Sequence, residues 1–142
     1  MAYVDLMQFL ERLDKEGEFI KVETEVDENY EIGAICRKAL DLKGPALFFN
    51  HIKGHSVPLV TSLFSTRKRY ALALDTAQDE VQKEWIRRVS KPIEPLIVNQ
   101  GPCKENILRG DEIDIIKFPT PVWNELAGVL KRNTQKKVRR KT

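Results

Sequence analysis

Three groups of side chains in this 142-residue sequence have the residue types to do chemistry. The first is Arg67-Lys68-Arg69. It follows Ser65-Thr66, whose hydroxyls predict a helix start because a side-chain oxygen there accepts a free backbone N–H. Free amides and cations at a helix start can hold a phosphate. The same three cations could instead lie on the solvated or interdomain face of a helix whose apolar side is Tyr70, Leu72 and Leu74, and this is the simpler expectation. The second group, Asp111, Glu112 and Asp114 after Gly110, offers hard oxygen ligands for a divalent cation. No other hard ligand is placed to complete a coordination shell, so a solvated turn is expected. The third is Cys36, His51, His55 and Cys103, which have no recognisable metal-ligand spacing. Both cysteines are expected as free thiols and both histidines as members of a solvated turn. Gly33 and Gly44 belong to no phosphate-binding fingerprint. Trp123 reads as a packing residue at a domain junction rather than a stacking platform.

The elements that must position these groups are set by periodicity. Leu6, Phe9, Leu10 and Leu13 form one apolar stripe and predict a helix from Leu6 to about Glu16. Asp5 is its expected cap, Val4 and Phe9 its expected hydrophobic staple, and Gly17 its left-handed exit. From Phe19 to Val26 the period changes to two, with Ile20, Val22, Thr24 and Val26 on one face, as in a half-covered strand near a sheet edge. A second helix starts at residues 27–29, turns Ile32, Ile35, Cys36, Ala39 and Leu40 to the core, and closes at Gly44-Pro45. Two apolar runs come next, one around Phe48 and one around Val60. Both are apolar enough to predict neighbouring strands at the centre of a sheet. Helices are predicted over 67–74 and 76–90, the latter burying Val81, Trp85, Ile86 and Val89 until Pro92 ends it. Prolines 92, 95, 102, 119 and 121 then favour an extended connector.

Apolar content of 42% and charged content of 32% are those of an ordinary globular chain, and 142 residues suit one modest core. No apolar run approaches the ~20 residues of a membrane helix. Asp5, Glu11 and Asp14 break up any secretion signal, so cytoplasmic residence is the expectation. The net charge of +3 misleads. Seven basic residues lie between Lys131 and Thr142, leaving 17 basic against 21 acidic residues over 1–130, a net of −4. That tail is expected to be disordered.

The string Gly44-Pro45-Ala46-Leu47-Phe48-Phe49, then Pro58-Leu59-Val60-Thr61-Ser62-Leu63-Phe64-Ser65-Thr66-Arg67-Lys68-Arg69, resembles the amino-terminal domain of UbiD-like decarboxylases. So do Ala2-Tyr3-Val4-Asp5-Leu6 with Glu16-Gly17-Glu18 at the start. Gly110-Asp111, Phe118-Pro119-Thr120-Pro121 and Trp123-Asn124-Glu125 extend the likeness near the end, so that it spans residues 1–126. It implies an α/β (α+β) fold: a single small domain over 1–91 with a mixed sheet and flanking helices. A Pro-rich connector over 92–126 would lead towards a catalytic domain, and 127–142 form a basic tail foreign to the family.

By resemblance, the activity would be the non-oxidative, often reversible decarboxylation of an aromatic or α,β-unsaturated acid. Prenylated FMN with Mn2+ and K+ would take up the charge left by CO2. In the family the acid–base and metal-binding residues come after an Asp-Gly-Gly motif. Here Ala127 stands where its Asp is expected. No catalytic, cofactor-binding or metal-binding residue therefore carries over to this chain, and an amino-terminal fragment inactive alone is expected. A frameshift, an early stop or an engineered end would each explain the change after Leu126. Implied partners are the rest of the decarboxylase or a separate catalytic chain, in a homo-oligomer, with no membrane. Two alternatives stand beside this reading: a non-catalytic assembly subunit of a decarboxylase complex, and a nucleic-acid-binding protein using the basic tail. The acidic body and the lack of aromatic residues in the tail weigh against the second.

Overall fold

The computed structural model describes residues 3–101, 104–125 and 128. Its elements are α1 (Leu6–Lys15), β1 (Phe19–Val22), α2 (Glu31–Asp41), β2 (Ala46–Phe49), β3 (Leu59–Thr61), α3 (Arg67–Leu74) and α4 (Val81–Val89). After α4 the described residues include short 3₁₀ turns at Gly110–Glu112 and Ile115–Lys117 and an isolated bridge at Val122. The cysteine and tail expectations that concern Cys103 and residues 129–142 lie outside the described residues.

The sheet runs β1-β2-β3, with β1 parallel to β2 and β3 antiparallel to it. β2 is apolar on both faces because both are covered. Leu47 and Phe49 point into a core with Ile32 and Cys36 of α2, while Ala46 meets Phe9, Leu10 and Leu13 of α1 on the other side, where Phe48, Leu72 and Ala73 also pack. The result is a mixed three-stranded sheet between α2 and the α1/α3 pair, the α/β fold expected. The Phe48 and Val60 segments are neighbours, in register residue for residue. Only β2 is central, however. β3 has three half-buried residues and forms an edge, held short by Pro58 before it and the left-handed Ser62 (φ 60°) after it.

Local capping obeys sequence chemistry. Asp5 accepts the Gln8 amide at 2.8 Å, Thr66 accepts that of Arg69 at 3.3 Å, and Gly17 makes the left-handed exit of α1 at φ 69°. The expected staple does not form: Val4 is 88% exposed. Tyr3 takes its place, its ring 5.1 Å from that of Phe9 and its hydroxyl donating to the Leu72 carbonyl. Its polar tip satisfies an acceptor that an aliphatic side chain could not.

Two other elements differ from expectation. β1 ends at Val22, and Phe19 rather than Ile20 is the buried residue at its start. Parallel pairing resumes only at Val26–Ile52, so the predicted strand is interrupted where Glu23 and Glu25 reach solvent. α4 begins at Val81 rather than Thr76, and none of its residues is buried; its apolar stripe faces outward. No helix among the described residues is long and apolar enough to cross a membrane.

Candidate functional site

Arg69 is not solvated. It is fully buried, and it is the one charged residue in the core among the described residues. α3 aims it across the end of the sheet, where Nη1 donates to Glu18 Oε2 at 2.7 Å and to the Gly44 carbonyl at 3.0 Å. Nη2 donates to the Ser65 hydroxyl. Lys68 adds a 2.9 Å pair to Glu18 Oε1 and donates to the Glu16 carbonyl. Burial would raise the Glu18 carboxyl, but hydrogen bonds and charge from Lys68 and Arg69 outweigh it and hold the group below its ordinary value. The cations that sequence offered as a phosphate site are thus largely engaged within the module. They tie the entry to β1, the entry to β2 and the start of α3 into one node. Only Arg67 of the three is exposed.

His55 also departs from expectation. Its side chain is 8% exposed and its Nε2 lies 3.2 Å from Oε2 of Glu28, itself 13% exposed. Nδ1 lies 3.1 Å from the Lys117 carbonyl. Glu28 accepts the Thr120 amide at 2.8 Å, and a parallel bridge joins Asn29 to Val122, with Val122 buried. Trp123 lies over Gly33, where a Cβ would come within 3.2 Å of the indole. Residues 120–123 are therefore clasped onto the start of α2, with the half-exposed indole of Trp123 against Gly33. His51, by contrast, sits in the exposed turn predicted for it. Substituting His55 by alanine should speed hydrogen exchange at the Tyr30 and Val122 amides about tenfold, the effect of losing one buried polar contact of ~1–3 kcal/mol. Protection equal to the parent protein's would show that the clasp does not depend on His55.

The remaining candidates are chemically quiet. Asp111 and Glu112 are exposed on a 3₁₀ turn, and Glu112 accepts the Arg109 amide at 3.1 Å. Among the described residues no group of three or more His, Cys, Asp or Glu could hold a metal ion. Cys36 is a free, buried thiol 3.2 Å from the Thr61 hydroxyl. Burial pushes its pKa up, partly offset by Thr61, so little nucleophilic thiolate forms. A cleft of about 220 Å³ beside α1, lined by residues including Lys21, Glu23, Phe48 and Asn50, brings together no nucleophile and base. Sequence reasoning missed the Arg69 node and the His55–Glu28 clasp. The signal available for the first was Glu18, an acid placed just before a strand, which could pair with a cation cluster elsewhere.

Comparison with known proteins gives this arrangement a context. The model of the 3-octaprenyl-4-hydroxybenzoate carboxy-lyase N-terminal domain matches residues 10–89. An evolved dimeric form of the UbiD-class enzyme HmfF from Pelotomaculum thermopropionicum, in complex with prFMN, is 30% identical with a TM-score of 0.77. The match covers 86% of this chain and 29% of that one. The vanillic acid decarboxylase of Sedimentibacter hydroxybenzoicus, in open form, is 35% identical at a TM-score of 0.77, over 88% and 29%. The apo 3,4-dihydroxybenzoic acid decarboxylase of Enterobacter cloacae is 25% identical at 0.75, over 87% and 28%. This chain spans less than a third of the length of each.

Proposed function

This chain belongs to the family of 3-octaprenyl-4-hydroxybenzoate carboxy-lyase N-terminal domains, and on that premise we propose that it is the leading module of a UbiD-class carboxy-lyase. The reaction served is non-oxidative decarboxylation of an aromatic or α,β-unsaturated carboxylic acid. Residues 1–91 are the folded module, and 92–126 lead towards the part that performs the chemistry. That part, on the same polypeptide or a separate chain, holds prenylated FMN, Mn2+ and K+ in a cytoplasmic, homo-oligomeric enzyme. The module alone is inactive. One observation carries the reading: the likeness takes in at least 86% of this chain but only 29% of the HmfF and vanillic acid decarboxylase chains.

The described residues do not fit a flavin or its metal. Of the cations at the α3 start, Arg69 is enclosed by Glu18, Gly44 and Ser65, and Lys68 is paired with Glu18. The module's contribution is therefore shape: a rigid body whose connector is held in a fixed direction by the clasp at Glu28 and His55. Co-expression of the 142-residue chain with a flavin prenyltransferase tests this. The purified protein should show no visible flavin absorbance and no CO2 release from aromatic acids. A stoichiometric flavin, or turnover, would overturn the reading.

A further inference from the structure

α4 is oriented inside out. Val81, Trp85, Ile86 and Val89 line one side of the helix, and the last three are each more than half exposed. The polar side does the anchoring. Arg88 Nη2 donates to the Leu74 carbonyl at 2.7 Å where α3 ends, while Glu84 pairs with Arg87 and Arg88. An amphipathic helix of a self-sufficient module would turn its stripe to the core instead. Between Tyr70 of α3 and Val81, Gln82 and Trp85 runs an apolar cleft of about 280 Å³. Apolar surface gathered in this way marks a contact site.

We propose that this face is the seat of the body that lies carboxyl-terminal to the module in the longer UbiD-class enzymes, an inference that rests on the function proposed above. Three observations favour that occupant. The matched enzymes are more than three times as long as the region they share with this chain, so a body larger than the module lies beyond it in those proteins. The apolar exposure continues from α4 into the connector, where Ile93, Leu96 and Ile97 are almost fully exposed. Exposed apolar residues thus follow the stripe of α4 directly in sequence. Both arginines beside the stripe of α4 are already engaged, each by Glu84 and Arg88 by the Leu74 carbonyl as well. A polyanion or an anionic membrane surface would call for unpaired cations there.

Photo-crosslinking in native cells tests the assignment. Benzoylphenylalanine is placed at position 85 of the full chain or, as a control, at position 38 on the exposed side of α2. From position 85 the expected product joins the chain to UbiD-class sequence beyond the module, in cis or on a separate polypeptide. Ile86→Glu should reduce its yield about tenfold, as loss of an interface anchor does, while leaving the module's unfolding midpoint unchanged. Such a product from position 38 but not 85 would overturn the assignment of α4 and leave the module reading standing. So would a product joining position 85 to a second copy of the module or to lipid, or one whose yield ignores Ile86→Glu. Absence of UbiD-class sequence from the products at both positions would overturn both.

Discussion

Replacing Arg69 by methionine should lower the unfolding free energy by about 3–5 kcal/mol, as removal of one partner from a buried ion pair does. The guanidinium is fully buried and satisfies Glu18, the Gly44 carbonyl and Ser65 together. Methionine fills much of the volume but leaves the Gly44 carbonyl without its guanidinium donor and Glu18 with Lys68 alone. Arg69→Lys should recover only part of the loss, because an ammonium cannot reach both sides of the node with a planar fork. Urea unfolding monitored by circular dichroism measures each variant. A loss below ~1 kcal/mol for Arg69→Met would mean that the node contributes little. The same pair predicts a pH dependence. Glu18 is held below its ordinary value of 4.5 in the folded state, so the unfolded chain binds its proton first as pH falls. The stabilisation is therefore complete above pH 4.5 and declines through the acid range below it. Glu84, drawn down to about 2 by Arg87 and then Arg88, declines in the same window. The informative comparison is thus with Glu18→Gln, which should flatten the Glu18 share of the slope. An unchanged acid profile in Glu18→Gln would remove the linkage.

The residues that carried the family resemblance meet at this node. Glu18 ends one matched string, Gly44 begins another, and Arg69 closes the third. Sequence therefore displayed the structural joints of the module, but as separate strings rather than as one buried contact. Capping and glycine exits were legible because they depend on residues three or four apart, as at Asp5–Gln8 and Thr66–Arg69. The pairs Arg69–Glu18 and His55–Glu28 were not, since they join residues 51 and 27 positions apart across different elements. Periodicity marked the stripe of α4 correctly but could not say whether anything within the module covers it. The same limit misplaced β3: an apolar strand reads alike whether its second edge is paired or free.

The largest core effect is expected at Phe49. Phe49→Ala should cost about 3–5 kcal/mol, a large part of the 5–15 kcal/mol typical of a domain. The ring is fully buried on the central strand, opposite Val22 on one side and Leu59 on the other, and packed with Ile32, Cys36 and Ile52 under α2. No neighbouring element is free to collapse into the space, because both flanking strands are hydrogen-bonded to the strand that carries it. Phe48, one residue earlier, faces α1 beside Phe19 at 6.0 Å and is only half-buried, so its loss should cost less. Val60→Ala on the edge strand should cost least. Chemical unfolding of the three variants checks the ranking, and a Phe49 cost no greater than that of Val60 would contradict a three-stranded sheet centred on β2. Trp85→Asp is the counterpart on α4. It removes a larger ring than Phe49→Ala, yet from a position more than half exposed, so the unfolding midpoint should hardly move. The buried aromatic residue of β2 should therefore carry far more of the stability than the exposed ring of α4.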